Sequence, residues 1–491
     1  MKNALQRRNW ISRMHLPAAG AALALAAVLA SVGVTTQSAQ AQTLTTLRSF
    51  DGANGSSPRA GLVQAINGNF YGTTADGGTY GDGTVFKITP SGTLTTLHSF
   101  DDTDGETPEA GLVQATNGNF YGTTYGGGTY GSGTVFEITP SGTLATLHSF
   151  CSQGAPCTDG AYPLAGLIQG SSGDLYGTTY EGGANGDGAV FKITPSGTLT
   201  ALYSFCSQSA CADGFSPSAG LVQGTNGDFY GTAQEGGANG YYGTVFRITP
   251  SGTLTTLHSF DGVDGSTPYA GLVQATNGDF YGTTQIGGAN LEGTVFKITP
   301  GGTLTTLYSF CSKSACTDGE EPIAGLAQAT DGNFYGTTSL GGAANTNCIE
   351  NECGTLFKIT PSGTLTTLQF DDTDGATPEA TLIQDTNGKL YGITELGGAS
   401  NAGTVFSLSV GLGQFVETLP ASGKVGAAIK ILGTSLTGAT AVTFNGTAAV
   451  FTVVSSSEIA TTVPASATSG SVQVVTSSGT LSSNVNFRVT P

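Results

Sequence analysis

The chain has 491 residues, of which 76 are glycine and only 10% are charged, with 34 acidic against 16 basic side chains and a net charge of −18. Glycine at about twice its usual share of roughly 7% excludes a helix-rich chain and points to short strands and many turns, an all-β protein. The acidic balance excludes nucleic acid as a partner, because phosphate binding needs a basic footprint.

The first element is residues 1–41. A basic start (Lys2, Arg7, Arg8, Arg13) precedes an apolar stretch from Leu16 to Val34, and Ala39-Gln40-Ala41 fits a small-x-small cleavage site. This reads as a signal peptide; the residues around Arg7-Arg8 fit twin-arginine export poorly, so Sec export is expected and an uncleaved anchor is the alternative. Its removal leaves 12 basic against 34 acidic residues, a net charge of −22. No later stretch is long and apolar enough to span a bilayer. A secreted, periplasmic or cell-surface monomer is expected.

Internal repetition dominates everything after residue 42. Residues 111–150, "GLVQATNGNFYGTTYGGGTYGSGTVFEITPSGTLATLHSF", return as the same unit at 271–310. The phenylalanine of "TVF" recurs at Phe86, Phe136, Phe191, Phe246, Phe296, Phe357 and Phe406, which defines repeats 1 to 7. Each unit holds four β-prone runs between turn signals, the pattern of a propeller blade, and predicts a seven-bladed β-propeller over residues 43–410. "TLTTLRSF" at 43–50 precedes the first unit and repeat 7 stops without its fourth strand, so the N-terminal strand is expected to close the last blade and remove the free edges. Strand parity places the tight "NGN" and "PSG" turns on one face. The Gly-rich and "DDTDGETP" loops, where all length variation falls, lie on the other, and variable loops on a rigid scaffold are where binding usually lives. Residues 412–491 lose the repeat and alternate apolar and polar positions, as in a small immunoglobulin-like β-sandwich.

The units "GLVQATNGNFYGTT", "GGGTYGSGTVFEITPSGTL" and "TLHSF" resemble the GloVer tandem repeats of bacterial exported proteins, whose members often end in an anchoring segment of variable type. The tail, with "GTSLTGATAVTFNGTAA", "VPASATSGSVQVVTSSG" and "FRVT", resembles an IPT/TIG domain. The first resemblance implies no assigned activity, the second an extracellular spacer or binding module. Neither brings a catalytic motif.

Eight cysteines fall in four local pairs, Cys151 and Cys157, Cys206 and Cys211, Cys311 and Cys316, Cys348 and Cys353, all in long-loop positions. In an exported protein such pairs read as disulfides; a four-thiolate zinc site is the alternative, weakened by the absence of CxxC spacing. An Asx-Gly-x-x-Pro turn recurs at Asn54, Asp104, Asp159, Asp213, Asp264, Asp318 and Asp374, where a capping role is favoured over a ligand site. Two acidic loops could offer clustered oxygens to Ca²⁺, through Asp101, Asp102, Asp104, Glu106 and Glu109, and through Asp371, Asp372, Asp374 and Glu379. Their spacing is not that of an EF-hand, and no other cofactor is expected. His98, His148 and His258, in outer strands of separate repeats, read as peripheral solvated residues. The tyrosines of "YGTT" (Tyr71, Tyr121, Tyr176, Tyr230, Tyr281, Tyr335, Tyr391) read as packing between blades. Tyr80, Tyr125, Tyr130, Tyr162, Tyr180, Tyr241, Tyr242 and Tyr269 fall in long loops and could contact a glycan or protein, or fill loops.

The expectation is an exported, non-catalytic scaffold that binds an extracellular glycan or protein through its long-loop face. A polysaccharide hydrolase or lyase with acidic residues near the axis is one alternative, favoured if two carboxylates converge there. A surface spacer is the other.

Overall fold

In the computed structural model, residues 42–343 and 353–490 are described. They hold seven four-stranded antiparallel sheets, one per repeat, followed by the sheets of a C-terminal sandwich; apart from two three-residue 3₁₀ turns, no helix occurs among them. In repeat 1 the strands are Val63–Gln64, Phe70–Thr74, Thr84–Ile88 and Leu94–Ser99, paired in chain order. Burial falls from the second strand outward. All five residues of Phe70–Thr74 are buried, whereas the outer strand is half-buried or exposed. A sheet covered on both faces at its centre and open at its rim produces this gradient.

The sheets stack face to face. Tyr71 of repeat 1 packs on Phe120 of repeat 2, with ring centroids 4.1 Å apart, and Tyr230 lies 4.0 Å from Phe280. Gly72 is small because a Cβ there would lie 2.7 Å from the Phe86 ring. The succession returns on itself, since Tyr391 of repeat 7 meets Phe70 of repeat 1 at 4.3 Å. Thr43–Ser49 pairs with Thr404–Ser409, matching Thr43 to Ser409 and Ser49 to Thr404, so the N-terminal strand does complete the sheet of repeat 7. The architecture is propeller-like.

Around the axis the inner strands bond through glutamine. Backbone N–H groups of Ile66, Thr116, Ser171, Thr225, Thr276, Thr330 and Thr386 donate to the side-chain oxygens of Gln114, Gln169, Gln223, Gln274, Gln328, Gln384 and Gln64, at 2.9 to 3.2 Å. In five of these the amide N–H also donates to a glycine carbonyl of its own tight turn. Each repeat is therefore tied to the next, and repeat 7 to repeat 1. Higher up, the glycine of "AGL" brings inner strands so close that a Cβ on Gly166 would stand 2.8 Å from the Gly111 carbonyl oxygen.

The C-terminal residues form two four-stranded sheets and a parallel pair, Ser422–Lys424 with Arg488–Thr490, around a core that includes Val416, Ile431, Val442, Phe444, Val472 and Phe487. This sandwich sits on the tight-turn face. Thr386 shares a hydroxyl hydrogen bond with Thr434 (2.8 Å), Ser457 donates to the Ile66 carbonyl (3.1 Å), and Arg488 to the Thr225 carbonyl (2.7 Å). Cavities of about 540 and 820 Å³ remain between the two parts, lined by Gln274, Asn277 and Asn486 among others, with Arg488 the one charged side chain.

Candidate functional site

With the tight-turn face carrying the sandwich, the long-loop face is the open one. Three disulfides staple it, Cys151–Cys157, Cys206–Cys211 and Cys311–Cys316, which excludes those thiols as zinc ligands. Cys353 is also disulfide-bonded, while Cys348 lies outside the described residues.

The recurrent Asx turns are closed by their own side chains. Asp104 accepts from the Asp101 N–H (3.3 Å), Asp213 from the N–H and hydroxyl of Ser207 (3.0 and 2.9 Å), and Asp318 likewise from Ser312. The histidines depart from expectation. They are not simply solvated: His98, His148 and His258 place Nε2 2.7, 3.0 and 2.7 Å from Asp104, Asp159 and Asp264, and Tyr203 and Tyr308 donate to Asp213 and Asp318 in the same way. A one-residue bulge in each of these outer strands aims the side chain at the turn. Repeat 6 lacks both that residue and the bulge, so Gln369 takes the place of Ser99 and accepts from the Ala343 N–H.

The acidic loops separate rather than cluster. Asp101 and Asp371 accept from Thr103 and Thr373 at 2.6 Å, Asp374 caps the Asp371 N–H, and Asp102 and Asp372 adopt left-handed backbone beside them. Among the described residues these carboxylates form no group of three ligand atoms; Asp187, Cys206 and Cys211 do, but both sulfurs are in a disulfide. Burial pushes Asp374 up to about 6, whereas hydrogen bonding from Thr373 holds Asp371 below its usual range.

Glu109 and Glu379 leave those loops for the axis. Each repeat enters its inner strand through Pro-x-Ala, and x is Arg59, Glu109, Leu164, Ser218, Tyr269, Ile323 and Glu379. The residue after the second strand also varies, through Ala75, Tyr125, Tyr180, Gln234, Gln285, Ser339 and Glu395. Arg59 donates from Nη1 to Glu109 (2.7 Å) and from Nη2 and Nε to Glu395 (2.8 and 3.0 Å), and its Nε stands 3.8 Å from Glu379. Tyr269 of repeat 5 also feels Glu109, Glu379, Arg59 and Tyr180, although these come from repeats 2, 7, 1 and 3; groups so dispersed meet only at the axis. Burial pushes Tyr269 up to about 12, and burial with the Glu395 charge pushes Glu379 up to about 7. Burial also raises Glu109, against the pull of Arg59. The mouth thus holds one guanidinium, three carboxylates and the phenols of Tyr125, Tyr180 and Tyr269, with Tyr162 packed 5.1 Å from Tyr125. Tyr80, Tyr130, Tyr241 and Tyr242 lie instead exposed on long loops. Arg59 and Glu395 carried no sequence motif; the signal was the variability of two positions in otherwise uniform repeats.

Fold and site define an all-β repeat protein of propeller-like architecture with an immunoglobulin-like C-terminal module. The chain belongs to the Gloeobacter/Verrucomicrobia repeat family, whose sequence model matches residues 30–168, 154–349 and 314–451. Residues 415–489 match the IPT/TIG domain. No curated protein matches the chain. Among solved structures, similarity is found to a Bacteroides fragilis protein provisionally assigned as a 6-phosphogluconolactonase (18% identity, 68% of this chain, 87% of that one, TM-score 0.43). An auxiliary nutrient binding protein of Bacteroides ovatus matches at 12% identity over 75% of this chain and 76% of that one (TM-score 0.39), and puromycin hydrolase at 12% over 79% and 61% (TM-score 0.46).

Proposed function

We propose that the chain is an exported binding protein. In this reading residues 1–41 are the export signal, 43–410 a seven-bladed propeller and 412–491 the immunoglobulin-like domain, and the protein acts outside the cytoplasm. One observation carries the proposal: over the seven repeats the two residue positions at the mouth take six and five residue types, while the glutamine at the base is the same in all seven. Packing needs the same residue in every repeat, whereas an asymmetric ligand needs different ones. Carboxylate acceptors in excess of Arg59, beside tyrosine rings, suit a hydroxyl- or amine-bearing extracellular glycan. The test is binding of the mature protein to a panel of bacterial and plant oligosaccharides, compared with Arg59→Ala and Tyr269→Ala. Retention of a sugar by the parent and its loss in both variants is expected; equal retention by all three would remove the mouth from consideration.

A second reading has its own observation. Carboxylates do converge at the axis, and Glu379, held near 7 beside Glu395, has the pKa a general acid needs. A polysaccharide hydrolase is then expected to release reducing ends, and Glu379→Gln to abolish release while sugar binding persists. Binding without release in the parent selects the first reading.

A further inference from the structure

We propose a second site on the long-loop face, apart from the mouth: an apolar patch on repeats 4 and 5 that docks a polypeptide segment rich in aliphatic and basic side chains. Five exposed apolar residues gather there. Tyr241, Val263 and Leu291 are 76%, 77% and 69% exposed, with Tyr242 and Ile286 beside them. Three hydrogen-bonded loops hold them together. The Thr267 N–H donates to the Tyr242 carbonyl, the Gly288 N–H to the Gly262 carbonyl, and a Cβ on Gly262 would stand 3.1 Å from the Tyr242 ring.

Leu291 carries the argument furthest. Its backbone is left-handed, φ +70°, at a place where repeats 1, 2 and 3 have Gly81, Gly131 and Gly186, all with positive φ. A leucine in this conformation costs about 1 kcal/mol or more relative to glycine, and its exposed side chain recovers nothing by burial. Strain retained for an exposed aliphatic group is accounted for by what the group meets outside the chain. The other repeats point the same way, because Gly81, Gly131 and Gly186 stand where Leu291 does, and Ala53 and Thr103 where Val263 does.

Charge selects the occupant. Loops 234–243, 260–268 and 285–293 contain Glu235, Asp261, Asp264 and Glu292 and no lysine or arginine. Glu320 and Glu321 of the next loop adjoin Glu292, whose carbonyl accepts the Glu321 N–H at 3.1 Å; that loop, 310–322, carries three carboxylates against one lysine, Lys313. An apolar centre with a carboxylate rim repels an anionic membrane surface and repels a second copy of itself. It complements a segment that carries aliphatic side chains between lysines or arginines.

The experiment uses the mature chain and three labelled 12-residue peptides, of alternating Lys-Leu, Glu-Leu and Lys-Ser, followed by fluorescence anisotropy at physiological salt. Lys-Leu is expected to bind, and the combined variant Tyr241→Ser, Val263→Ser, Leu291→Gly to weaken it about tenfold, whereas Tyr80→Ser on repeat 1 leaves it unchanged. Leu291→Gly alone is expected to melt no lower than the parent, which separates loss of docking from loss of fold. Equal binding by the combined variant overturns the proposal, as does Lys-Ser binding as tightly as Lys-Leu. Two further results would reassign the patch: phosphatidylserine vesicles captured by the parent and not the variant, or a dimer in sedimentation that the variant dissolves.

Discussion

At the base of the axis seven repeats present one residue type, glutamine, and each amide bonds the neighbouring repeat. At the mouth the same seven repeats present arginine, glutamate, leucine, serine, tyrosine and isoleucine. The backbones at the two ends follow the same course, so the difference lies in what each end must satisfy. The base closes a ring whose partners are other copies of the unit, and a departure at Ile66 or Thr386 leaves a buried N–H unmet. The mouth faces solvent and whatever enters it. Uniformity therefore reports assembly, and variety, on the reading proposed above, reports contact with something that lacks the ring's repetition.

The sharpest way to break this comparison is at the neck between the two ends. Gly166→Ala would place a Cβ 2.8 Å from the Gly111 carbonyl, a contact that backbone must move to relieve. We expect a loss of about 3 kcal/mol, read as the denaturant midpoint at constant slope. Leu164, two residues earlier at the mouth, is expected to tolerate serine at a cost below about 1 kcal/mol. Similar costs at both positions would dissolve the distinction.

Next comes the glutamine ring itself. Gln114→Ala removes the acceptor of the buried Ile66 N–H and the donor to the Gly118 carbonyl. Leaving such groups unpaired costs roughly 2 kcal/mol, and the amide of Ile66 should lose protection from hydrogen exchange before amides two repeats away. Unchanged exchange at Ile66 would mean that the ring is ornamental to stability.

Much of this scaffold was legible in the sequence and much of the site was not, for reasons that differ by residue. The pairing of Thr43–Ser49 with Thr404–Ser409 followed from a strand missing at one end and spare at the other. The Cys206–Cys211 and Cys311–Cys316 bridges followed from local pairs in a chain expected to be exported. The place of His98 was not legible, because alternation alone sends it outward and only the bulge turns it to Asp104. A within-chain signal existed but was incomplete, since the turn has Asp where the outer strand has His or Tyr and Asn54 where it has Arg48, yet keeps Asp374 after the outer strand of repeat 6, which has neither. Arg59 and Glu395 stand 336 residues apart, and no local pattern links them until the ring has closed. In the same way Glu109 and Glu379 read as members of acidic loops, because composition groups neighbours in sequence and the proline between them and the aspartates redirects the chain.

The smallest expected effect has the opposite sign, which makes it the most informative about the mouth. Burial and the Glu395 charge raise Glu379 from the ordinary carboxylate range to about 7 in the folded chain, so ionising it opposes folding. Below the unfolded-state pKa, near 4, the group is protonated in both states and costs nothing; the cost grows as pH rises and is complete above about 7. Glu379→Gln should therefore leave stability unchanged at pH 4 and raise it by roughly 1 kcal/mol at pH 8, a value kept low because part of the charge is screened by solvent and met by Arg59. Thermal melts of parent and variant across that range would show two curves that separate only on the alkaline side. An alkaline separation of the opposite sign, with the variant the less stable, would mean that Glu379 strengthens the fold through Arg59. The mouth would then share the structural logic of the base, and a carboxylate held there against its own ionisation could no longer be ascribed to binding.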